Sequence, residues 1–178
     1  MSSRAFRWLL WLWAAACPLM GWAQNAPVSE HALKSALFFK LPQFVYRADE
    51  ARDRPLSVCL LGGAAFAVPF EKLAQTPIDG RPVAYTKLVS ISDATRCDVV
   101  FIAQTDAGPL DALVKRLASL PALSVSDVPG FARAGGMVEL AMGAPGAPVG
   151  ILINRKAAKA QNIEFNAQLL RLARVVEP

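Results

Sequence analysis

Short stretches made almost wholly of apolar residues constrain this chain more than any other feature. Residues 56–61 read Leu-Ser-Val-Cys-Leu-Leu, and Asp98 is followed by Val99, Val100, Phe101, Ile102 and Ala103. A strand with one wet face alternates apolar and polar side chains, whereas a continuous apolar run requires cover on both faces. Residues 83–89, rich in β-branched and aromatic side chains, and residues 123–125 predict two further strands. The cover lies between them: Leu110, Leu113, Val114 and Leu117 fall at i, i+3, i+4 and i+7, which predicts an amphipathic helix over 110–120.

Upstream, Ser29 suits the N-cap of a first helix whose apolar positions are Leu33, Ala36, Leu37, Leu41 and Phe44, with Pro42 bending or ending it. Residues 47–55 are dense in charge, and Arg52 and Arg54 neutralise Asp49, Glu50 and Asp53, as in a solvated connection. Gly62 and Gly63 mark a tight turn after the first strand. Phe70, Leu73 and Ala74 behind Pro69 predict a brief helix with the proline in its first turn. Asp79 and Gly80 mark another turn. Downstream, the apolar runs 137–142 and 149–153 flank Gly143, Pro145, Gly146 and Pro148, the pattern of a hairpin with a longer loop. A polar helical stretch at 155–161 precedes a last helix carrying Phe165, Leu169, Leu172 and Ala173 on one face. The sum is an α/β fold: a layered single domain with a central mixed, mostly parallel sheet flanked by helices, closed by a C-terminal β-hairpin plus helix.

The first residues carry an address. Arg4 and Arg7 precede an apolar run over 8–20 and small residues ending at Ala23, the layout of a signal peptide at 1–23 and a mature domain at 24–178. The run is shorter than the ~20 residues of a bilayer crossing, so the processed chain is expected not to insert in a membrane. Lipidation at Cys17 and an uncleaved anchor are the alternatives, although Ala14, Ala15 and Ala16 lack the leucine expected upstream of a lipidated cysteine. Without Arg4 and Arg7 the net charge falls from +5 to +3. The cations are scattered, the densest group being Arg155, Lys156 and Lys159, which reads as a solvated face and argues against nucleic acid as a partner. Removing the leader leaves Cys59 and Cys97, an even pair in an exported chain. Oxidising surroundings favour a disulfide between them, worth roughly 4 kcal/mol on the chain-entropy model, the alternative being two buried thiols.

Chemistry is scarce. The one histidine, His31, sits beside Glu30 at the start of the first helix, where an exposed side chain is expected rather than a catalytic base. No spacing suits a metal site, and the dinucleotide motif G-x-G-x-x-G is absent, so neither metal nor cofactor is expected and the chain is not read as an enzyme. The segment 126–136 holds three glycines and a proline and places Phe131 and Arg133 where binding sites often lie. The alternative is an ordered connection whose Phe131 plugs the core.

The run Ser126-Asp127-Val128-Pro129-Gly130-Phe131-Ala132-Arg133-Ala134-Gly135-Gly136-Met137, with Ile153-Asn154 downstream and Leu169-Leu170-Arg171-Leu172-Ala173-Arg174-Val175 at the end, resembles the YfiR-like family of periplasmic regulators. The likeness extends back through Val58-Cys59-Leu60-Leu61-Gly62 to Leu37-Phe38-Phe39-Lys40. It implies a small periplasmic protein that holds the periplasmic domain of an inner-membrane diguanylate cyclase inactive, lowering cyclic di-GMP and biofilm formation. It also implies that Cys59 and Cys97 match a stabilising disulfide of the family. A second pair that some members carry near the C-terminal hairpin has no counterpart between Met137 and Ile153. The partner surface is sought first on the hairpin and last helix, where Met137, Leu140, Ile151 and Phe165 either leave part of a face uncovered or belong to the core. A homodimer is compatible with this reading. A small-molecule cleft beside Gly62, Gly63 and the 126–136 loop is the alternative function, and an exported hydrolase using His31 is the third.

Overall fold

Along the chain the elements run α1 (Glu30–Lys40), β1 (Val45–Arg47), β2 (Leu56–Leu61), α2 (Ala64–Leu73), β3 (Val83–Leu88), β4 (Val99–Ile102), α3 (Leu110–Leu117) and β5 (Leu123–Ser126). They continue with α4 (Phe131–Ala134), β6 (Val138–Ala141), β7 (Gly150–Ile153), α5 (Arg155–Lys159), β8 (Ile163–Phe165), α6 (Ala167–Leu172) and β9 (Arg174–Val175). Short 3-10 turns occupy Leu41–Phe44 and Ile91–Arg96. This computed structural model describes residues 29–47, 53–103, 108–142 and 148–177. The expected leader with Cys17 and Ala23 lies outside the described residues, as do Asp49, Glu50, Arg52, and the hairpin loop's Gly143, Pro145 and Gly146.

Seven strands form one sheet in the order β3-β2-β4-β5-β6-β7-β9, parallel throughout except where β6 meets β7 antiparallel. The expected α/β fold with a mostly parallel central sheet and a C-terminal hairpin is therefore present. Both faces are buried because the apolar runs feed two cores in alternation. Val58, Leu60, Val99 and Phe101 point into one, while Cys59, Leu61, Val100 and Ile102 point into the other. Each such side chain contributes about 1.5–3 kcal/mol on leaving water. On the first face α1 and α2 supply Phe38, Phe39, Phe66 and Phe70, which form one cluster with Phe101 in which neighbouring ring centroids lie 4.7–6.2 Å apart. On the second face α3, α4 and the 91–96 turn supply Leu113, Val114, Leu117, Phe131 and Ile91.

Several local expectations are corrected. α1 does start at the Ser29 cap, whose side chain accepts from the Ala32 N–H at 3.2 Å. Its buried face, however, is Lys34, Ser35, Phe38 and Phe39, and Leu33 is left 39% exposed. The two phenylalanines bury more area than Leu33 and Ala36, and the polar pair is satisfied: Ser35 Oγ donates to the His31 carbonyl at 2.6 Å. Pro69 lies inside α2 rather than in its first turn, because the helix starts directly after Gly63 to place Phe66 and Phe70 one turn apart on the core. Phe165 belongs to β8, not to the last helix. It pairs with Val45 in a separate two-stranded sheet that covers the apolar exit from α1, and Leu172 on α6 is 72% exposed.

Cys59 on β2 and Cys97 at the entry to β4 are joined by a disulfide spanning 38 residues. Reduction, or Cys97→Ser, is expected to lower the unfolding free energy by about 4 kcal/mol in denaturant titration. An unchanged midpoint under reductant would show that the bridge does not constrain the unfolded chain.

Candidate functional site

β2 is followed by β3 on one side of it and then by β4 on the other, so the winding of the sheet reverses there. In open α/β sheets a crevice forms at the carboxyl ends of strands flanking such a reversal. Here a cavity of about 640 Å³ opens between Gly62, Gly63, Phe66, His31, Lys87 and Asp127. The glycines are required by the turn: Gly63 has φ +66°, and a Cβ there would lie 2.6 Å from the Ala103 Cβ. His31, expected to be exposed, is half-buried and packs edge-on against Phe66 at 4.9 Å. Lys34 spans the cavity's acidic rim, its ammonium 3.0 Å from Asp127 and 2.5 Å from Glu30. Burial pulls the Lys34 pKa down, but the hydrogen bonds to Glu30 and Asp127 outweigh it and hold the group above the usual lysine value.

The 126–136 segment is built for structure. Phe131 is wholly buried in the second core, so the expectation of a loop-borne contact residue is overturned by packing; Arg133 stays exposed on α4. Gly136 exists to let Phe131 in, since a Cβ there would meet the ring at 2.1 Å. The buried Glu139 carboxylate on β6 accepts from the Gly130 and Ala132 N–H groups, both at 3.1 Å. Asn154 Nδ2 donates to the Ala132 carbonyl at 2.8 Å while its Oδ1 caps α5 through the Ala157 N–H at 2.9 Å. Met137 and Leu140 are likewise entirely in the core, which removes them as surface residues, whereas Ile151 and Phe165 remain half-buried.

Phe165 borders a second cavity, of about 580 Å³, between α5, β8 and the edge strand β9. Its apolar wall is Ile163, Phe165 and Val175, and Arg155, Lys156 and Lys159 stand along the α5 side. At the amino ends of β2 and β4, sequence reasoning missed Asp98. This buried carboxylate accepts from both Nη atoms of Arg54 at 2.8 and 2.6 Å and from the Ser57 N–H at 2.8 Å, with Arg47 and Arg81 within 4 Å. Arg54 thus reaches a specific partner instead of lying in a solvated loop. The one available signal was an acid placed directly before an apolar strand.

The family model for YfiR/HmsC-like proteins matches residues 31–174, from the first turn of α1 to β9. The chain belongs to the YfiR/HmsC-like family. That family is regulatory and non-enzymatic, and its members are periplasmic. No curated protein matches the sequence. Among solved structures, a conserved domain protein from Vibrio cholerae O1 biovar El Tor strain N16961 shares the fold at 13% identity and a TM-score of 0.58, over 84% of this chain and 60% of that one. The ABC domain in complex with L-Trp from Streptococcus pneumonia does so at 14% identity and a TM-score of 0.52, over 82% of this chain. This YfiR/HmsC-like chain covers 60% of the length of each. Among the described residues no group of His, Cys, Asp and Glu side chains suits a metal ion, and no helix is long and apolar enough to cross a membrane.

Lys34→Met leaves Glu30 and Asp127 facing one another without a cation and is expected to cost about 3 kcal/mol of stability. A group with a raised folded pKa contributes below its unfolded value, about 10.5 for lysine, and loses that contribution as pH rises through the folded value. Tyr85, raised by burial and by Glu71, acts in the same direction. Wild-type stability should therefore fall above about pH 10, less steeply in Lys34→Met, as read from urea midpoints across pH. Identical alkaline slopes would remove Lys34 as a contributor.

Proposed function

We propose that this protein is a periplasmic repressor that binds the periplasmic domain of an inner-membrane diguanylate cyclase and holds it inactive, lowering cyclic di-GMP output. The family match over 31–174 carries this reading, since regulators in the diguanylate cyclase pathway characterise the family. The chain reaches its site of action through the leader, with Gln24 as the first mature residue. Repression of this kind is differential binding: the repressor moves the cyclase only by as much as it prefers the inactive state. Driving a cyclase from almost fully active to almost fully inactive takes about 5.5 kcal/mol of such preference, within reach of one modest interface. Ile151 and Phe165, the members of the expected contact set that stay half-buried, support a surface at the C-terminal end, with the exposed Arg133 a further candidate.

The test is capture of the tagged, processed chain from solubilised membranes beside cyclic di-GMP measurement in a deletion strain. Enrichment of a diguanylate cyclase and a rise in cyclic di-GMP on deletion are expected. No cyclase in the eluate and an unchanged nucleotide level would remove the proposal.

The crevice at the sheet reversal favours a second reading, a small-molecule binding module that tunes or replaces partner binding. Its 640 Å³ lies in the range of small-ligand pockets. A ligand present at about a hundred times its Kd stabilises the folded state by about 2.7 kcal/mol, a readily measured rise in melting temperature. Thermal-shift screening of periplasmic metabolites is expected to yield such a rise that Asp127→Asn diminishes. L-Trp, with which the Streptococcus pneumonia domain was solved, is one probe. A flat response across the panel would leave partner binding alone.

A further inference from the structure

The cavity beside Phe165 is bounded by two strand edges from different sheets. In the antiparallel β1–β8 pair, Asn166 N–H donates to the Phe44 carbonyl at 2.9 Å, and the register places Glu164 opposite Tyr46. Ladder hydrogen bonds alternate, so the main-chain groups of Phe165 turn away from β1, while Ile163, which is buried, contributes only to the apolar wall. In the parallel β7–β9 pair, Val176 N–H donates to the Ile153 carbonyl at 2.9 Å. The same alternation turns the N–H and C=O of Val175 outward, on the open side of the seven-stranded sheet. Ile163, Phe165 and Val175 all line the cavity.

The charges beside this space are also unspent. Arg155, Lys156 and Lys159 are exposed on α5, and none of the three forms an ion pair among the described residues. Glu164 and Glu177 border the cavity too, so the cations outnumber the carboxylates by one. Size narrows the occupant further. At ~3.4 Å rise, ~4.8 Å strand spacing and ~10 Å between layers, one strand residue fills on the order of 160 Å³. The 580 Å³ cavity therefore holds roughly three to four residues, too few for a folded domain and the right number for a short extended segment.

We infer that the groove between β8 and β9 receives an extended, acidic segment of a partner protein, which adds to these strand edges through its main chain and meets Arg155, Lys156 and Lys159 through its carboxylates. Main-chain pairing supplies the affinity in this mode of recognition, and side-chain pockets at alternate positions supply the selectivity. The apolar wall takes one set of alternating side chains, and the α5 cations take acids on the other set. The inference rests on the reading of this chain as a partner-binding regulator and deepens it by naming the surface and the chemistry of what enters.

The experiment uses the full processed chain and a short fluorescein-labelled peptide of alternating valine and glutamate, read by fluorescence anisotropy. Two matched peptides serve as controls: one with lysine for glutamate, the other N-methylated at alternate main-chain nitrogens. The glutamate peptide should bind, and both controls should fail. Lys156→Glu with Lys159→Glu should weaken binding at least about tenfold and remove most of its salt dependence. Far-ultraviolet circular dichroism should not change, because neither lysine contacts the core. Amide resonances of Val175 and Phe165 should shift on titration. The proposal is overturned if all three peptides bind alike or none binds. It is equally overturned if anionic phosphatidylglycerol vesicles bind in place of the peptide, or if sedimentation shows a second copy of this chain held through the groove. Since the peptide carries no cyclase sequence, failed peptide binding with successful cyclase capture discards the groove alone. The reverse result discards the cyclase reading and keeps the groove.

Discussion

The two-sided burial of β2 and β4 is the constraint on which the other elements depend, because a strand with no wet face is completed only by a layer on each side. Val58, Leu60, Val99 and Phe101 demand the aromatic cluster of α1 and α2, while Cys59, Leu61, Val100 and Ile102 demand α3 and α4. The disulfide ties the second core to the entrance of β4. With both faces covered at the centre, the open regions fall at the ends of the strands and at the outer edges, and these are where the two cavities lie.

The residues that carry the family likeness are largely devices for closing the chain between β5 and β6. Phe131 fills the second core, Gly136 makes room for its ring, and Glu139 and Asn154 hold the α4 turn from two sides. An unpaired carboxylate at the burial of Glu139 would be costly, so the turn and the strand specify one another. A recognisable motif in this family is thus a statement about fold. The surface that meets a partner is drawn from less distinctive residues around it.

Charge is used in two ways. Buried charges are tied to fixed partners: Asp98 gathers arginines from three separate segments at the base of the sheet, and Lys34 joins α1 to the loop after β5. On α5 the cations are exposed and, among the described residues, form no ion pair, beside the cavity lined by β8 and β9. The first arrangement locks elements together, and the second leaves Coulomb attraction available for something outside the chain.

Much of this was written locally. The strands at 56–61 and 99–102, the Ser29 cap, the Asp79–Gly80 turn and the hairpin are legible because each depends on period, turn chemistry or capping among neighbours in sequence. The pairing of Cys59 with Cys97 was legible because these are the only cysteines after residue 17. Only the tertiary structure decided the rest. Which face of α1 is buried depended on Asp127, 93 residues away, accepting the Lys34 charge. Phe165 became a strand residue because Val45 offered it a partner. Met137 and Leu140 vanished into the core, and Asp98 became a hub for distant arginines, through contacts that no window of sequence contains. Periodicity states that a side chain is to be covered; the cover itself comes from residues that only folding brings near.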